Sequence, residues 1–239
     1  MIAAGRRHLP QGWSDLGRQL GIWFGFAVLY QLARGVANRK PPSVAFANGH
    51  AVLKFETHVT NRLYELTLQN FVDQRHLLET AVSWIYWNSE FTVVGLTVLW
   101  VYLRRHSAFT AFRNSILLAN LIGLVGYVFV PTAPPRLLGI GFVDQHRDGL
   151  VSLAGNPYAA MPSLHAADAL IVGIVMFTLC RSIWAKAIWA SWPICVWFVV
   201  MATGNHFWLD CIAGIVVALL AMSVVYNRRF RAAFAARRT

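Results

Sequence analysis

Ala202-Thr203-Gly204-Asn205-His206-Phe207-Trp208-Leu209-Asp210 leads into an apolar run that continues without a charge from Cys211 to Asn227. A helix crosses a hydrocarbon core of about 30 Å with about 20 apolar residues. The run over 209–227 therefore reads as a membrane-crossing helix with a short polar hinge at its mouth. His206 and Asp210 stand at that mouth, four residues apart. Ionisable side chains are costly beside hydrocarbon, so such a pair is a functional candidate by default.

The rest of the chain has the same character. Its 239 residues are 57% hydrophobic and 13% charged, too few charges for a soluble domain of this length. Five further apolar windows of spanning length lie at 17–37, 80–103, 114–131, 164–183 and 187–204. The expected fold class is all-α: a polytopic membrane protein with six transmembrane helices plus an amphipathic interfacial segment at about 43–79. No internal repeat or low-complexity tract divides residues 1–239, so a single domain is expected, with its motif-bearing core at about 80–227. The first window ends among Arg34, Arg39 and Lys40 with no small-residue cleavage site following, and reads as a retained anchor. Cys180, Cys195 and Cys211 are odd in number and lie in apolar segments, which predicts buried thiols and neither a disulfide framework nor a metal site.

A formal net charge of +11 raises the question of nucleic acid, and the distribution of charge answers it. With the amino terminus in the cytoplasm, the inside segments hold Arg6, Arg7, Arg18, Arg104, Arg105, Arg113, Arg181, Lys186 and the basic tail from Arg228 to Arg238, against one acid, Asp15. This is the positive-inside asymmetry of a membrane protein. Both termini are assigned to the cytoplasm and the His206 hinge to the opposite face. The tail is expected to rest on anionic headgroups, with no nucleic-acid partner.

Several polar groups fall on the hinge side. Over 43–79, Phe46, Val52, Leu53, Phe55, Val59, Leu63, Leu66, Leu68, Phe71, Val72 and Leu77 recur at spacings nearer three and four than two. One or two amphipathic helices on the outer surface are expected, with Asn70-Phe71-Val72-Asp73 as a break. They form either an inert cap or a lateral wall for lipid entry. Glu90 lies inside the second window beside Trp84, Tyr86 and Trp87, and needs a partner in the site or on a neighbouring helix; it is a candidate substrate-binding residue. Pro131-Thr132-Ala133-Pro134-Pro135-Arg136 stops the third helix and presents Arg136 from a stiff segment. A guanidinium there can clamp phosphate oxygens or simply mark the interface. Residues 137–160 read as an external loop, a lid or selective wall, in which Asp144, His146, Arg147 and Asp148 are given no role.

Pro162 and Ser163 suit a helix start, whose amides bind anions, and His165 falls in the first turn. Protonated, His165 can neutralise phosphate charge and protonate a leaving oxygen. Asp168, three residues on, tunes His165, binds an acceptor hydroxyl, or only satisfies another helix. His206 and Asp210 suit nucleophile and orienter if the helix begins by Asn205; with an irregular hinge, tertiary structure must build their contact.

Pro162-Ser163-Leu164-His165 together with His206-Phe207-Trp208-Leu209-Asp210 resemble the second and third motifs of the type-2 phosphatidic acid phosphatase superfamily, and Pro134-Pro135-Arg136 resembles its first. The Pro-Ser-Leu-His form is similar to the inositol phosphorylceramide synthase and inositolphosphotransferase branch. The resemblance covers about 80–227. It implies six transmembrane helices, no metal or other cofactor, His206 as nucleophile oriented by Asp210, and His165 as leaving-group acid. Two of the superfamily's cation positions are vacant: Phe129 stands where its first motif has lysine, and Val199-Val200 where its third has Ser-Arg. This departure favours phosphotransfer over simple monoester hydrolysis. The expected partners are the membrane, a lipid phosphate substrate and an alcohol acceptor such as inositol or a lipid hydroxyl. A transporter or lipid-binding scaffold is the competing class; it predicts broken helices or paired repeats near the membrane middle, whereas these polar residues gather at one face.

Overall fold

The computed structural model describes residues 9–37, 40–143 and 157–235, without the side chains of Arg34, Ala37, Glu90, Phe91 and residues 228–235. The charged residues of the 137–160 loop therefore lie outside the described residues, as do the side chains of Glu90, a candidate site residue, and of the basic tail. Nine α-helices run through the described residues: α1 Gly12–Ala37, α2 Pro42–Thr60, α3 Tyr64–Asp73, α4 His76–Asn88, α5 Val94–Arg104, α6 His106–Phe129, α7 Leu164–Leu179, α8 Ile183–Ala202 and α9 Trp208–Ala235. A π-helical turn, Ser89–Val93, joins α4 to α5, and a 3-10 turn, Pro135–Leu137, follows α6. Among the described residues the only β pairing is an isolated parallel bridge between Thr132 and Ala159.

The all-helical expectation holds, and the count of six spans is corrected. Among the described residues three helices are long and apolar enough to cross a membrane: His106–Phe129, Ile183–Ala202 and Trp208–Asn227. The second window is not one helix, because the π-turn at Ser89–Val93 divides α4 from α5. The fourth window yields an apolar helix of 16 residues, since Cys180 takes an extended backbone and ends α7. The first window forms a 26-residue helix whose apolar run is diluted by Asp15, Arg18, Gln19 and Gln31. Large side chains nonetheless point outward on several helices, among them Phe24, Leu32, Val125, Ile188, Ile194 and Leu220. Apolar surface on that scale marks contact with lipid or partners.

The expected interfacial segment is two helices, α2 and α3, broken at Asn61 in a left-handed conformation; α3 runs through Asn70–Asp73 without a break. The three cysteines are free, with Cys211 buried and Cys180 and Cys195 half-buried.

The central core joins α5, α6, α7 and α9 through Val101, Phe109, Phe112, Ile116, Ile171, Val172 and Val175. Helices in lipid gain no hydrophobic drive from meeting one another, so close contact depends on small residues. Ala119 on α6, Ala167 on α7, and Ala218 and Ala221 on α9 are all fully buried at this junction. Gly214 sets the closest approach: a Cβ there would lie 2.3 Å from the Ser163 carbonyl oxygen, which is backbone and cannot swing aside. That contact fixes the start of α7 against α9. Gly214→Ala is expected to cost about 1–3 kcal/mol through overpacking and to lower the melting temperature in detergent. Gly25→Ala on α1, where a Cβ meets nothing within 4 Å, is expected to leave it unchanged or raise it by helix propensity. Equal melting shifts for the two variants contradict this packing account.

Candidate active site

The hinge before α9 is a set of backbone turns. The Gly204 amide donates to the Met201 carbonyl at 2.9 Å, and the Asn205 and His206 amides both donate to the Val200 carbonyl, at 3.0 and 3.1 Å. Gly204 has φ +64°, and a Cβ there would lie 2.7 Å from Phe142 Cδ1, so both conformation and space call for glycine. The helix proper begins at Trp208. His206 thus precedes it, and its contact with Asp210 is built by tertiary structure, not by one helical turn.

His206 is buried, with Nδ1 2.8 Å from the Ala160 carbonyl oxygen and 3.6 Å from Asp210 Oδ2. A carbonyl only accepts, so Nδ1 carries a proton and donates, which in the neutral ring leaves the lone pair on Nε2. The tautomer is fixed by Ala160, while Asp210 supplies charge from just beyond hydrogen-bond range. Ala160 is itself held: its amide donates to the Thr132 carbonyl at 3.2 Å, and the Thr132 amide donates to Tyr158 at 2.8 Å. The proline-rich segment after α6 therefore orients the histidine through the chain beside it.

Arg136 sits in the 3-10 turn of that segment. Its amide donates to the Gly204 carbonyl at 3.0 Å and its Nε to Asn205 Oδ1 at 2.9 Å. Asn205 in turn donates from Nδ2 to Thr203 Oγ1 at 2.8 Å. The guanidinium is thus braced against the hinge itself. His165, second residue of α7, has its ring centroid 5.8 Å from that of His206, and the Tyr86 ring stacks on His165 at 4.9 Å and 19°.

Pro162 and Ser163 do local work. The Pro162 carbonyl accepts from Tyr127 at 3.0 Å, the Ser163 hydroxyl caps the Ala166 amide at 3.3 Å, and the Ser163 amide donates to the Asp210 carbonyl at 3.0 Å. That last bond ties the two helix starts together and occupies the Ser163 amide. Asp168 is buried and accepts from Asn120 Nδ2 on α6, at 3.0 and 2.9 Å to its two oxygens. Lys54 and Arg62 are exposed, and Val199 and Val200 are buried in apolar clusters.

Sequence reasoning missed two acids. Glu56 and Glu65 are fully buried, and their Oε1 atoms accept from the amides of Leu209 and Trp208 at 2.8 and 2.7 Å. The signal was present in the spacing: Ala45, Gly49, Val52 and Glu56 share the buried stripe of α2, and Glu65, Gln69 and Val72 that of α3. A glutamate on an inward stripe needs a partner. Burial, followed by the neighbouring Glu65 charge, pushes the Glu56 carboxyl up to about 9. Burial also raises Glu65 above the usual carboxylate range.

Three resemblances fit this arrangement. The family model of the PAP2 superfamily matches residues 50–224, a stretch that contains Arg136, His165, His206 and Asp210. The phosphoinositol dihydroceramide synthase of Bacteroides thetaiotaomicron is 27% identical over 139 residues, covering 49% of this chain and 45% of the synthase. The chain thus spans less than half the length of that curated relative. The crystal structure of Aquifex aeolicus LpxE superposes with a TM-score of 0.53 at 16% identity, over 68% of this chain and 94% of that one. At that identity the likeness is one of fold. With a match over most of its length, hinge and helix starts included, the chain belongs to the PAP2 superfamily.

Proposed function

We propose that this protein transfers a phosphoryl group from a lipid phosphate ester through a phosphohistidine on His206, without a metal ion. The observation that carries the reading is the fixed tautomer: with the Nδ1 proton committed to Ala160 at 2.8 Å, the lone pair of Nε2 is the nucleophile. Nε2 attacks phosphorus and the bond to the leaving oxygen breaks, that oxygen taking a proton from His165. In the second step His165 accepts the proton of water or an alcohol as its oxygen attacks the phosphohistidine, and His206 is regenerated. Asp210, 3.6 Å from Nδ1, stabilises the positive charge that the ring gains on phosphorylation. Arg136, braced by Asn205, and the positive end of α7 at its start carry the equatorial oxygens, the charge stabilisation on which phosphoryl transfer depends. Pro162 and Ser163 place that turn, Asp168 holds α7 against α6, and Glu90 is kept as a candidate headgroup contact.

The acceptor we favour is an alcohol. Two cation positions of the phosphatase motifs hold Phe129 and Val199-Val200, and the synthase relative is named for joining phosphoinositol to dihydroceramide. Inositol or a lipid hydroxyl is the acceptor of choice and water the alternative. The site is assigned to the extracytoplasmic face with both termini in the cytoplasm, a reading supported by Arg104, Arg105 and Arg113 lying at the end of α5 and start of α6 remote from the hinge.

Purified protein in detergent with a chelator, offered labelled phosphatidate, polyprenyl pyrophosphate and phosphatidylinositol, is expected to turn over at least one lipid. His206→Ala is expected to lose about 10⁴-fold or more. Label in an alcohol product identifies a transferase and free phosphate a phosphatase. No turnover of any lipid phosphate returns the transport or scaffold class, and dependence on added metal contradicts the metal-free mechanism. Asn205→Ala, which releases the Arg136 fork, is expected to raise KM or lower kcat/KM about tenfold, the cost of a lost charged hydrogen bond. Unchanged kinetics in that variant remove Arg136's brace from the account.

A further inference from the structure

The phosphoryl-transfer chemistry leaves two fully buried acids unused, and both end on the same turn as the nucleophile. The Phe207 amide donates to Asp210 Oδ2 at 2.8 Å, the Trp208 amide to Glu65 Oε1 at 2.7 Å and the Leu209 amide to Glu56 Oε1 at 2.8 Å. Three consecutive amides immediately after His206 are therefore each taken by a carboxyl group from a different helix. One carboxylate at a helix start is ordinary capping, balanced by a macrodipole of about half a positive charge. Three ionised carboxylates in one dry pocket exceed that charge severalfold. No lysine or arginine among the described residues forms an ion pair with either glutamate.

A proton resolves the imbalance. Glu56 Oε2 and Glu65 Oε2 are sealed from solvent without a hydrogen-bond partner among the described residues, while their Oε1 atoms sit on the consecutive amides of Leu209 and Trp208, so the two carboxyl groups are neighbours on one turn. An acid hydrogen on one gives the pair the bond that the backbone does not supply, as in other close carboxyl pairs that cannot both ionise. Asp210 on α9 adds a further negative charge that opposes ionisation, and the Cys211 thiol is the other titratable group facing the pair from that helix.

We propose that Glu56 and Glu65 are positioning residues for His206: sharing one proton, they clamp the Trp208 and Leu209 amides and hold the hinge in the register that sets His206 against Ala160 and Asp210. This rests on His206 as nucleophile. Neither glutamate meets the reacting atoms. The interfacial helices α2 and α3 are thereby part of the catalytic apparatus and not an inert cover. Loss of the shared proton places two adjacent carboxylates beside Asp210, drives α2 and α3 away from the turn, and releases the histidine.

The test compares wild type, Glu56→Gln and Glu56→Ala as full-length protein in detergent between pH 6 and 10. Melting temperature is followed together with kcat and KM for whichever labelled lipid of the panel above wild type uses. Glutamine still accepts from the Leu209 amide and donates to Glu65, so it mimics the protonated acid at every pH. Because the folded-state value is raised, the stabilisation is fully present below the ordinary value of 4.5 and is lost as pH rises through about 9. Wild-type melting is expected to fall with rising pH across this range, and Glu56→Gln to be flatter. Wild-type kcat is expected to fall on the alkaline side and that limb to move up by about one pH unit or more in Glu56→Gln. Glu56→Ala is expected to lose about 100-fold in kcat with KM little changed, the cost of a misplaced nucleophile. Superimposable wild-type and glutamine profiles, or a wild-type kcat in Glu56→Ala, overturn the inference. If wild type turns over no lipid, the nucleophile assignment fails by itself, and coincident melting profiles then overturn the clamp separately.

Discussion

Asp210 makes three contacts at once, each to a different part of the site. Its backbone carbonyl accepts the Ser163 amide at 3.0 Å, its carboxylate accepts the Phe207 amide at 2.8 Å, and the same oxygen lies 3.6 Å from His206 Nδ1. The first contact locks the starts of α7 and α9 together, the second ends the hinge, and the third places negative charge beside the imidazole. Its other oxygen, Oδ1, is buried without a partner among the described residues. A carboxylate so confined is costly. That cost is tolerated where the charge has a task, and in the proposed mechanism a ring that becomes cationic on phosphorylation supplies one.

The geometry around this residue is possible because the surrounding helices approach unusually closely. Fully buried alanines on α6, α7 and α9, and Gly214 against the Ser163 carbonyl, let backbones rather than side chains form the contact. Rigid helix starts then hold short polar segments whose own backbones do the orienting: Ala160 for His206, Gly204 for Arg136, Val200 for the hinge amides. Little is left to long side chains, which would carry more conformational freedom into the site. The α2–α3 layer completes the arrangement through Glu56 and Glu65 on the Leu209 and Trp208 amides.

Much of this was legible in the residues. Apolar windows of spanning length pointed to an all-helical chain, prolines marked the stiff segment before Arg136, and a short polar hinge marked the turn at His206. Span number was not legible, because hydropathy does not register the π-turn at Ser89–Val93 or the extended Cys180 that shortens α7. Nor could spacing identify what fixes the His206 tautomer: the partner is a backbone carbonyl 46 residues away in sequence, and carbonyls have no sequence signature. Glu56 and Glu65 were readable in principle, since each falls on an inward stripe. An amphipathic helix at an interface and one docked on a helix start have the same pattern, and only the buried acid distinguishes them.

In the proposed mechanism the phosphoryl group rests on His206 between the two half-reactions. Rapid quenching into alkali of wild-type protein turning over a ³²P-labelled lipid phosphate, followed by peptide mapping, tests it directly. The account predicts an alkali-stable, acid-labile label on the peptide that contains His206, absent in His206→Ala. Turnover with no protein-bound label at any quench time, or label on His165 or a carboxylate, contradicts it.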